Sequence, residues 1–343
     1  MEGLLSRCDY NAPLAERVFD DTGSKLERRN DHMILVGGEN LIDFVQTDTP
    51  DGAALYQAIP GGSCYNCAIA TARQGQDVTY MTPVSEDALG AMLEARLAQD
   101  NIALAAQRVS QPTSLAVVSL ADGIPSYQFY REGTAERQIS YQQLIETCPA
   151  KATAFHIGSL ALITGADAQA WEAFFESCAE KGMMTCLDPN ARPGLIANKA
   201  EYVERVLRLL GSATLVKLSD EDLAYLLPEL PLLEAFEKIR ALSNAALLVL
   251  TMGQKGAIGA TAQHKIAVPA GVASPLADTV GAGDTFMGTL IAQITKNGWD
   301  THKALSSLSP ENLQSLLEVA ATAAALNCER AGCNPPYLEE LHL

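Results

Sequence analysis

Basic residues are scarce in this sequence. Its 343 residues carry 24 Lys+Arg against 41 Asp+Glu, for a formal net charge of −17. No basic run overrides that balance, so nucleic acid and anionic membrane surfaces are poor partners. Apolar runs of bilayer-spanning length are missing, and the N-terminus lacks the apolar core of a signal peptide. Histidine occurs at only five dispersed positions, which gives no support to a His-based relay or a zinc hydrolase. The eight cysteines are too scattered for a disulfide framework and fit a reducing cytosol as small buried hydrophobes. Two phosphate-binding fingerprints are also missing, G-x-x-x-x-G-K-[ST] and a G-x-G-x-x-G after the first strand. Neither a P-loop kinase nor a dinucleotide enzyme is therefore expected. Apolar residues, by contrast, make up 48% of the chain, ample for a packed core. The length calls for one large α/β domain with an appendage, or for two domains.

One cysteine pair, Cys64 and Cys67, forms a C-x-x-C. A redox or zinc role is one reading. Zinc would need two further ligands, and no second C-x-x-C or H-x3-H follows. The other reading is a structural pair in a Gly- and Ala-rich loop running into a buried helix.

Residues 1–32 are polar and aperiodic, and are expected to be a leader that contributes nothing to the site. From Ile34 onward, short apolar runs alternate with amphipathic stretches. Strands are predicted at Ile34–Val36, Val78–Met81, Leu115–Ser119, Ala154–Ile157, Met184–Leu187, Thr214–Lys217 and Leu247–Thr251. Helices are predicted at Cys64–Gln74, Asp87–Asp100, Ala168–Lys181, Asp220–Leu226, Leu232–Leu242, Gly283–Lys296 and Asn312–Cys328. Leu89, Leu93 and Leu97 recur every fourth residue and build one helix face. Such alternation argues for βαβ units and a parallel sheet covered on both faces. Ligands of these sheets bind beyond the carboxyl ends of the strands. Residues 44–60 and about 111–138 break the pattern with short strands and turns, and together predict a small β-appendage.

The sharpest chemical signal is ADTVGAGDTFMGTLIAQI, from Ala277 to Ile294. Gly281, Ala282 and Gly283 let successive backbone N–H groups point at one spot. The helix that follows adds its unpaired N–H groups and the positive end of its dipole. That combination is an anion hole. Asp284 places a carboxylate beside it, positioned to take a proton from a hydroxyl nucleophile near a phosphoryl group. A capped helix after a flexible turn would use the same Asp.

DTVGAGDTF resembles the C-terminal signature of the PfkB, or ribokinase-like, sugar kinases. The N-terminal signature is matched by PGGSCYNCA, with Gly61, Gly62 and Asn66 at the family positions. The resemblance runs from about Ile34 to about Pro336. It implies a ribokinase-like α/β three-layer sandwich, with a mostly parallel central sheet, helices on both faces, and a small β-sheet lid. It implies an ATP-dependent kinase acting on a primary sugar hydroxyl, with Asp284 as base, Mg²⁺ as cofactor and K⁺ as a candidate ion. Lids of this kind often serve dimerisation in the family, so a homodimer through the lid is expected.

Other segments align under that resemblance. GGENLIDF puts Asp43 where family members bind sugar hydroxyls. An Asp just beyond an apolar strand is also placed to accept from a polyol, although a turn Asp would look the same. Gly61 and Gly62 permit close backbone approach, and Asn66 can both donate and accept, or simply cap a helix. Asp188–Arg192 resembles the DPN-R element, with Asn190 near the nucleotide phosphates and Arg192 supplying positive charge. Lys217–Leu223 resembles the family's Asn-x-x-Glu region for Mg²⁺ and phosphate. Here it reads Ser219-x-x-Asp222, which keeps the charge and loses the Asn. Lys217 and Ser219 are nucleotide-side candidates. Thr251–Ala257 resembles a turn bordering the nucleotide, with Thr251, Gly253 and Gly256 as candidates. Asp278 and the carbonyls near Gly332 are candidates for a monovalent cation. Tyr130–Gln138 resembles a lid strand that reaches over the sugar in fructokinases and 2-keto-3-deoxygluconate kinases, which makes Arg131 a candidate substrate contact. The two lid motifs look most like fructokinases. The alternatives are a 2-keto-3-deoxygluconate kinase, a ribokinase or nucleoside kinase, and a non-catalytic sugar-binding regulator.

Overall fold

The computed structural model describes residues 32–47, 55–121 and 124–342. The expected leader, up to residue 31, and the tips of both lid stretches, residues 48–54 and 122–123, lie outside the described residues. The chain first forms β1 (Met33–Val36), β2 (Leu41–Thr47), β3 (Leu55–Gly61), α1 (Ser63–Arg73), β4 (Val78–Tyr80), α2 (Ala88–Gln99) and β5 (Ala103–Leu104). Next come β6 (Leu115–Ala121), β7 (Ile124–Tyr130), α3 (Tyr141–Thr147), β8 (Ala152–Gly158), α4 (Ala166–Glu180), β9 (Met184–Asp188) and α5 (Lys199–Ser212). There follow β10 (Leu215–Ser219), α6 (Asp220–Leu226), α7 (Leu232–Leu242), β11 (Leu247–Thr251), β12 (Ala257–Ala260) and β13 (Lys265–Val268). The chain closes with α8 (Ala282–Lys296), α9 (His302–Ser306) and α10 (Pro310–Cys328).

Nine strands form one sheet in the order β13-β12-β11-β10-β9-β8-β1-β4-β5. Its pairs are parallel from β11 through to β5, and antiparallel only where β12 and β13 add an edge. Strand alternation sends Ile34 and Val36 into one core and Leu35 into the other. Helices α1, α2, α8 and α10 contribute to the first core, and α4, α5 and α7 to the second. This is the ribokinase-like sandwich that the resemblance implies. The small separate sheet is there too, in the order β3-β2-β6-β7, with β2 parallel to β6 and the other pairs antiparallel.

Two contacts position the site. Helices α1 and α8 pack closely because Gly288 has no side chain: a Cβ there would press on Ala70 and the Cys67 carbonyl. Thr71 Oγ1 also donates to the Gly288 carbonyl at 3.3 Å. The Cys64/Cys67 pair therefore lies inside this helix, buried, where burial pushes both thiols up. At the other end, Arg73 donates to Asp100 at 2.9 Å and to the Pro335 carbonyl at 2.7 Å, which clamps the C-terminal segment against α1. Among the described residues, no helix is long and apolar enough to cross a membrane.

Candidate active site

The N-terminal ends of α1, α6 and α8 converge on one cavity of about 760 Å³. Each start has its own local cause. Gly62 takes φ 119 ahead of α1, and a Cβ there would meet the Glu39 carbonyl. Gly281 takes the left-handed φ 75 ahead of α8. Ser219 caps α6 in a capping box with Asp222.

Asp284, in the first turn of α8, is buried. Its Oδ2 accepts from Asn66 Nδ2 at 2.9 Å, and its Oδ1 accepts from Ser63 Oγ at 2.7 Å. Burial raises its pKa, while the bonds from Asn66 and Ser63 and the charges of Arg192 and Lys217 pull it back. Asp43, on β2, lines the same cavity. A Cβ on Gly61 would overlap its Oδ2, so that glycine is what makes room for the carboxylate. Burial, then the charge of Asp284, pushes the Asp43 pKa up to about 6, against a lowering by Arg192. Glu39 also faces this cavity. Its Oε1 accepts from the Ser63 amide at 2.8 Å, and burial pushes it up to about 7.

The same cavity is bordered by Gly281, Ala282 and Gly283 and by Lys217, Ser219 and Thr251. A Cβ on Gly283 would find only Lys217 Nζ nearby, at 3.5 Å. That ammonium is buried and pairs with Asp188 Oδ2 at 3.0 Å. Burial opposes its charge, but Asp188, Asp222 and Asp284 hold the Lys217 pKa up. Asn190 takes φ 38, which brings its amide to Ser63 Oγ at 2.8 Å. Arg192 folds back onto the Asn190 carbonyl at 3.2 Å, exposed at the cavity mouth.

Some expected site residues sit elsewhere. Arg131 is paired with Glu136. It donates from Nε and Nη2 to the two oxygens of Glu136, at 2.7 and 3.0 Å, and lines a second cavity of about 560 Å³. Burial opposes its charge, yet Glu136 raises its pKa. Asp222 acts as a brace: Oδ1 accepts from the Ala191 amide at 2.7 Å, and Oδ2 from the Ser219 amide and hydroxyl, each at 2.8 Å. Gly253 and Gly256 shape the turn after β11 and do not line the cavity; a Cβ on Gly256 would strike the Val268 carbonyl. Asp278 and Gly332 do come together, since Oδ2 accepts from the Gly332 amide at 2.9 Å, while Oδ1 accepts from Val280 at 3.0 Å. The sequence reading passed over Ser63, Glu39 and Glu221, all of which line the cavity. The first had a signal, being three residues before Asn66 on the same helix face.

Among the described residues, no group of three His, Cys, Asp or Glu could hold a metal ion. A divalent ion carried on nucleotide phosphates, which keeps much of its water, still fits this site.

A family model described as pfkB family carbohydrate kinase matches residues 31–340. A fructokinase of Rhizobium leguminosarum bv. trifolii is 33% identical over 286 residues, 82% of this chain and 86% of that protein. Probable fructokinase-4 of Arabidopsis thaliana is 30% identical over 315 residues, 88% of this chain and 93% of that protein. The crystal structure of a fructokinase with bound ATP from Xylella fastidiosa superposes with a TM-score of 0.82. It is 26% identical and covers 90% of this chain and 97% of that one.

Proposed function

The chain belongs to the pfkB family of carbohydrate kinases, and on that premise we propose that it transfers the γ-phosphate of ATP to a primary hydroxyl of fructose. One observation carries the reading. Asp284 stands at the head of α8, between the Gly281–Gly283 loop and the Asp43–Asn66 wall of one cavity. A single carboxylate thus faces both the acceptor side and the phosphate side.

In this mechanism Asp43 and Asn66 hold sugar hydroxyls, and the carbonyl and amide of Asn66 let it serve as donor or acceptor. Asp284 takes the proton of the primary hydroxyl. The sugar oxygen forms its bond to the γ-phosphorus as the bond to the bridging oxygen of ADP breaks. The amides of Gly281, Ala282 and Gly283 and the start of α8 meet the phosphoryl oxygens, and the buried Lys217 ammonium adds positive charge beneath them. When bound, Mg²⁺ neutralises charge on the β- and γ-phosphates. Glu221, on the cavity wall, would reach it through water, while Asp222 fixes the Asn190–Arg192 loop.

Fructose is favoured over 2-keto-3-deoxygluconate by charge. The sugar side of the cavity carries Glu39 and Asp43, and Glu136 engages Arg131. A sugar acid would meet carboxylates there. The reading includes K⁺ near Asp278, a reducing cytosol as location, and a homodimer through the small sheet, whose edge strand β3 exposes Leu55 and Tyr56. Light scattering of the purified chain tests the last point, and a monomer would refute it.

The decisive experiment is a coupled ADP-release assay across fructose, 2-keto-3-deoxygluconate, ribose and adenosine. Fructose is expected to give the highest kcat/KM. Turnover on none of them, with sugar still bound in calorimetry, would replace the kinase with a sugar-binding regulator.

A further inference from the structure

The starting point is the direction of one hydroxyl proton. Ser63 opens α1, buried, with Oγ 2.7 Å from Asp284 Oδ1 and 2.8 Å from Asn190 Nδ2. An amide nitrogen only donates, so Ser63 Oγ must accept from Asn190. Its single proton is then left for Asp284. The amide cannot be flipped without loss, because Arg192 Nη1 donates to Asn190 Oδ1. A directed chain therefore runs Arg192 to Asn190 to Ser63 to Asp284, from the phosphate-side cation to the carboxylate beside the acceptor.

We propose that Ser63 is a positioning residue for Asp284: its directed hydroxyl locks the carboxylate in the acceptor state and in one orientation, and ties both to the Asn190–Arg192 loop. The proposal rests on the kinase reading above. It also selects the reacting oxygen. Among the described residues, Asp284 Oδ1 faces two protein donors, Ser63 and the more distant Asn190 amide at 3.5 Å, whereas Oδ2 faces one, Asn66. Oδ2 has the room for the sugar hydroxyl.

The surroundings leave Ser63 a distinct part to play. The cations near Asp284 are Arg192, from the loop after β9, and Lys217, from β10. The carboxylates are Asp43 on β2, Asp188 on β9 and Glu39 after β1, which accepts from the Ser63 amide itself, and the thiols of Cys64, Cys67 and Cys333 also lie near. Burial favours a protonated Asp284. The cations and the bonds from Asn66 and Ser63 favour the ionised form, and losing either bond shifts the balance.

Kinetics of the full chain against pH test this, using the best sugar from the assay above. Ser63→Ala should lower kcat about tenfold, leave the sugar KM within about twofold, and move the acid limb of kcat up by about one pH unit. Ser63→Thr keeps the hydroxyl and should restore the limb. Asn190→Ala frees the Ser63 proton and should shift the limb in the same direction; it also covers the case in which Ser63→Ala fails to fold. An unmoved acid limb in a folded Ser63→Ala or in Asn190→Ala overturns the proposal while wild-type turnover keeps the kinase reading. A wild type inactive on every sugar overturns both.

Discussion

The side-chain amide of Asn66 donates to Asp284 Oδ2 at 2.9 Å, although the two residues stand 218 positions apart. Their helices meet because both present small residues at the crossing, with Gly288 against Ala70. The two sequence signatures are thus halves of one object. In the proposed mechanism the first supplies the sugar wall and two donors to the base, and the second supplies the base and the anion hole.

Replacing Asp284 should separate binding from chemistry. Asp284→Ala removes the carboxylate placed at the junction of the two walls, so kcat should fall by about 10³-fold, within the range for loss of a general base. Calorimetric binding of sugar and of ATP should persist. Activity within about tenfold of wild type would remove Asp284 from the role of base.

Arg131→Ala should act on stability and spare substrate choice. The guanidinium is paired with a nearly buried Glu136, and removing one partner of such a pair costs about 3–5 kcal/mol. The melting temperature should drop markedly, with sugar KM raised equally for neutral and acidic sugars. A KM increase confined to the acidic sugar would return Arg131 to the substrate.

Asp43→Asn should trade affinity for stability. The folded pKa of Asp43 lies near 6, above the unfolded value of about 3.9. Folding therefore takes up a proton between those values. The contribution of Asp43 to stability is complete below about pH 4, falls as pH rises, and is lost through about pH 6. The variant escapes that decline, so above pH 6 it should exceed wild type by on the order of 2 kcal/mol. Its sugar KM should rise. Denaturant melts of both proteins from pH 4 to 8 test this; a difference that does not change with pH would contradict the burial of a charged Asp43.

The sequence disclosed the parts of this site whose chemistry is local. GAGD before a helix is readable because glycine, dipole and carboxylate lie within four residues, and α8 begins one residue before its expected start. Strands such as β11 appear at their expected bounds because an apolar run buried on both faces is unambiguous. Helix α5 escaped the reading, although it sets Tyr202, Val206 and Leu209 on one buried face. Its apolar residues are separated by charged ones, and α5 follows the DPN loop, which drew attention to itself. The pairing of Arg131 with Glu136 was not legible for a different reason. A strand end tells which residue is near a lid, but not which of several carboxylates will claim its guanidinium. Ser63 was missed because its importance lies in two partners, 127 and 221 positions away.

The anion hole itself offers a contrast between two glycines two positions apart. Gly281 has φ 75, and a Cβ there would overlap Cys333 Sγ from the C-terminal segment. Gly281→Ala must therefore bear left-handed strain of about 1–2 kcal/mol and displace the Cys333 thiol. Gly283 has an ordinary φ, and its Cβ would meet nothing closer than Lys217 Nζ at 3.5 Å. Gly283→Ala should fold as well as wild type or gain about 0.5 kcal/mol, since alanine suits a first helical turn. Its methyl group would nevertheless occupy the space over the ammonium where the phosphoryl oxygens are to sit. Gly281→Ala should thus lower both the melting temperature and kcat, and Gly283→Ala should lower kcat and ATP affinity alone. If Gly283→Ala retained full turnover, the transferring group could not lie against this loop, and the phosphate would have to be sought farther along the cavity, toward Ser219 and Thr251.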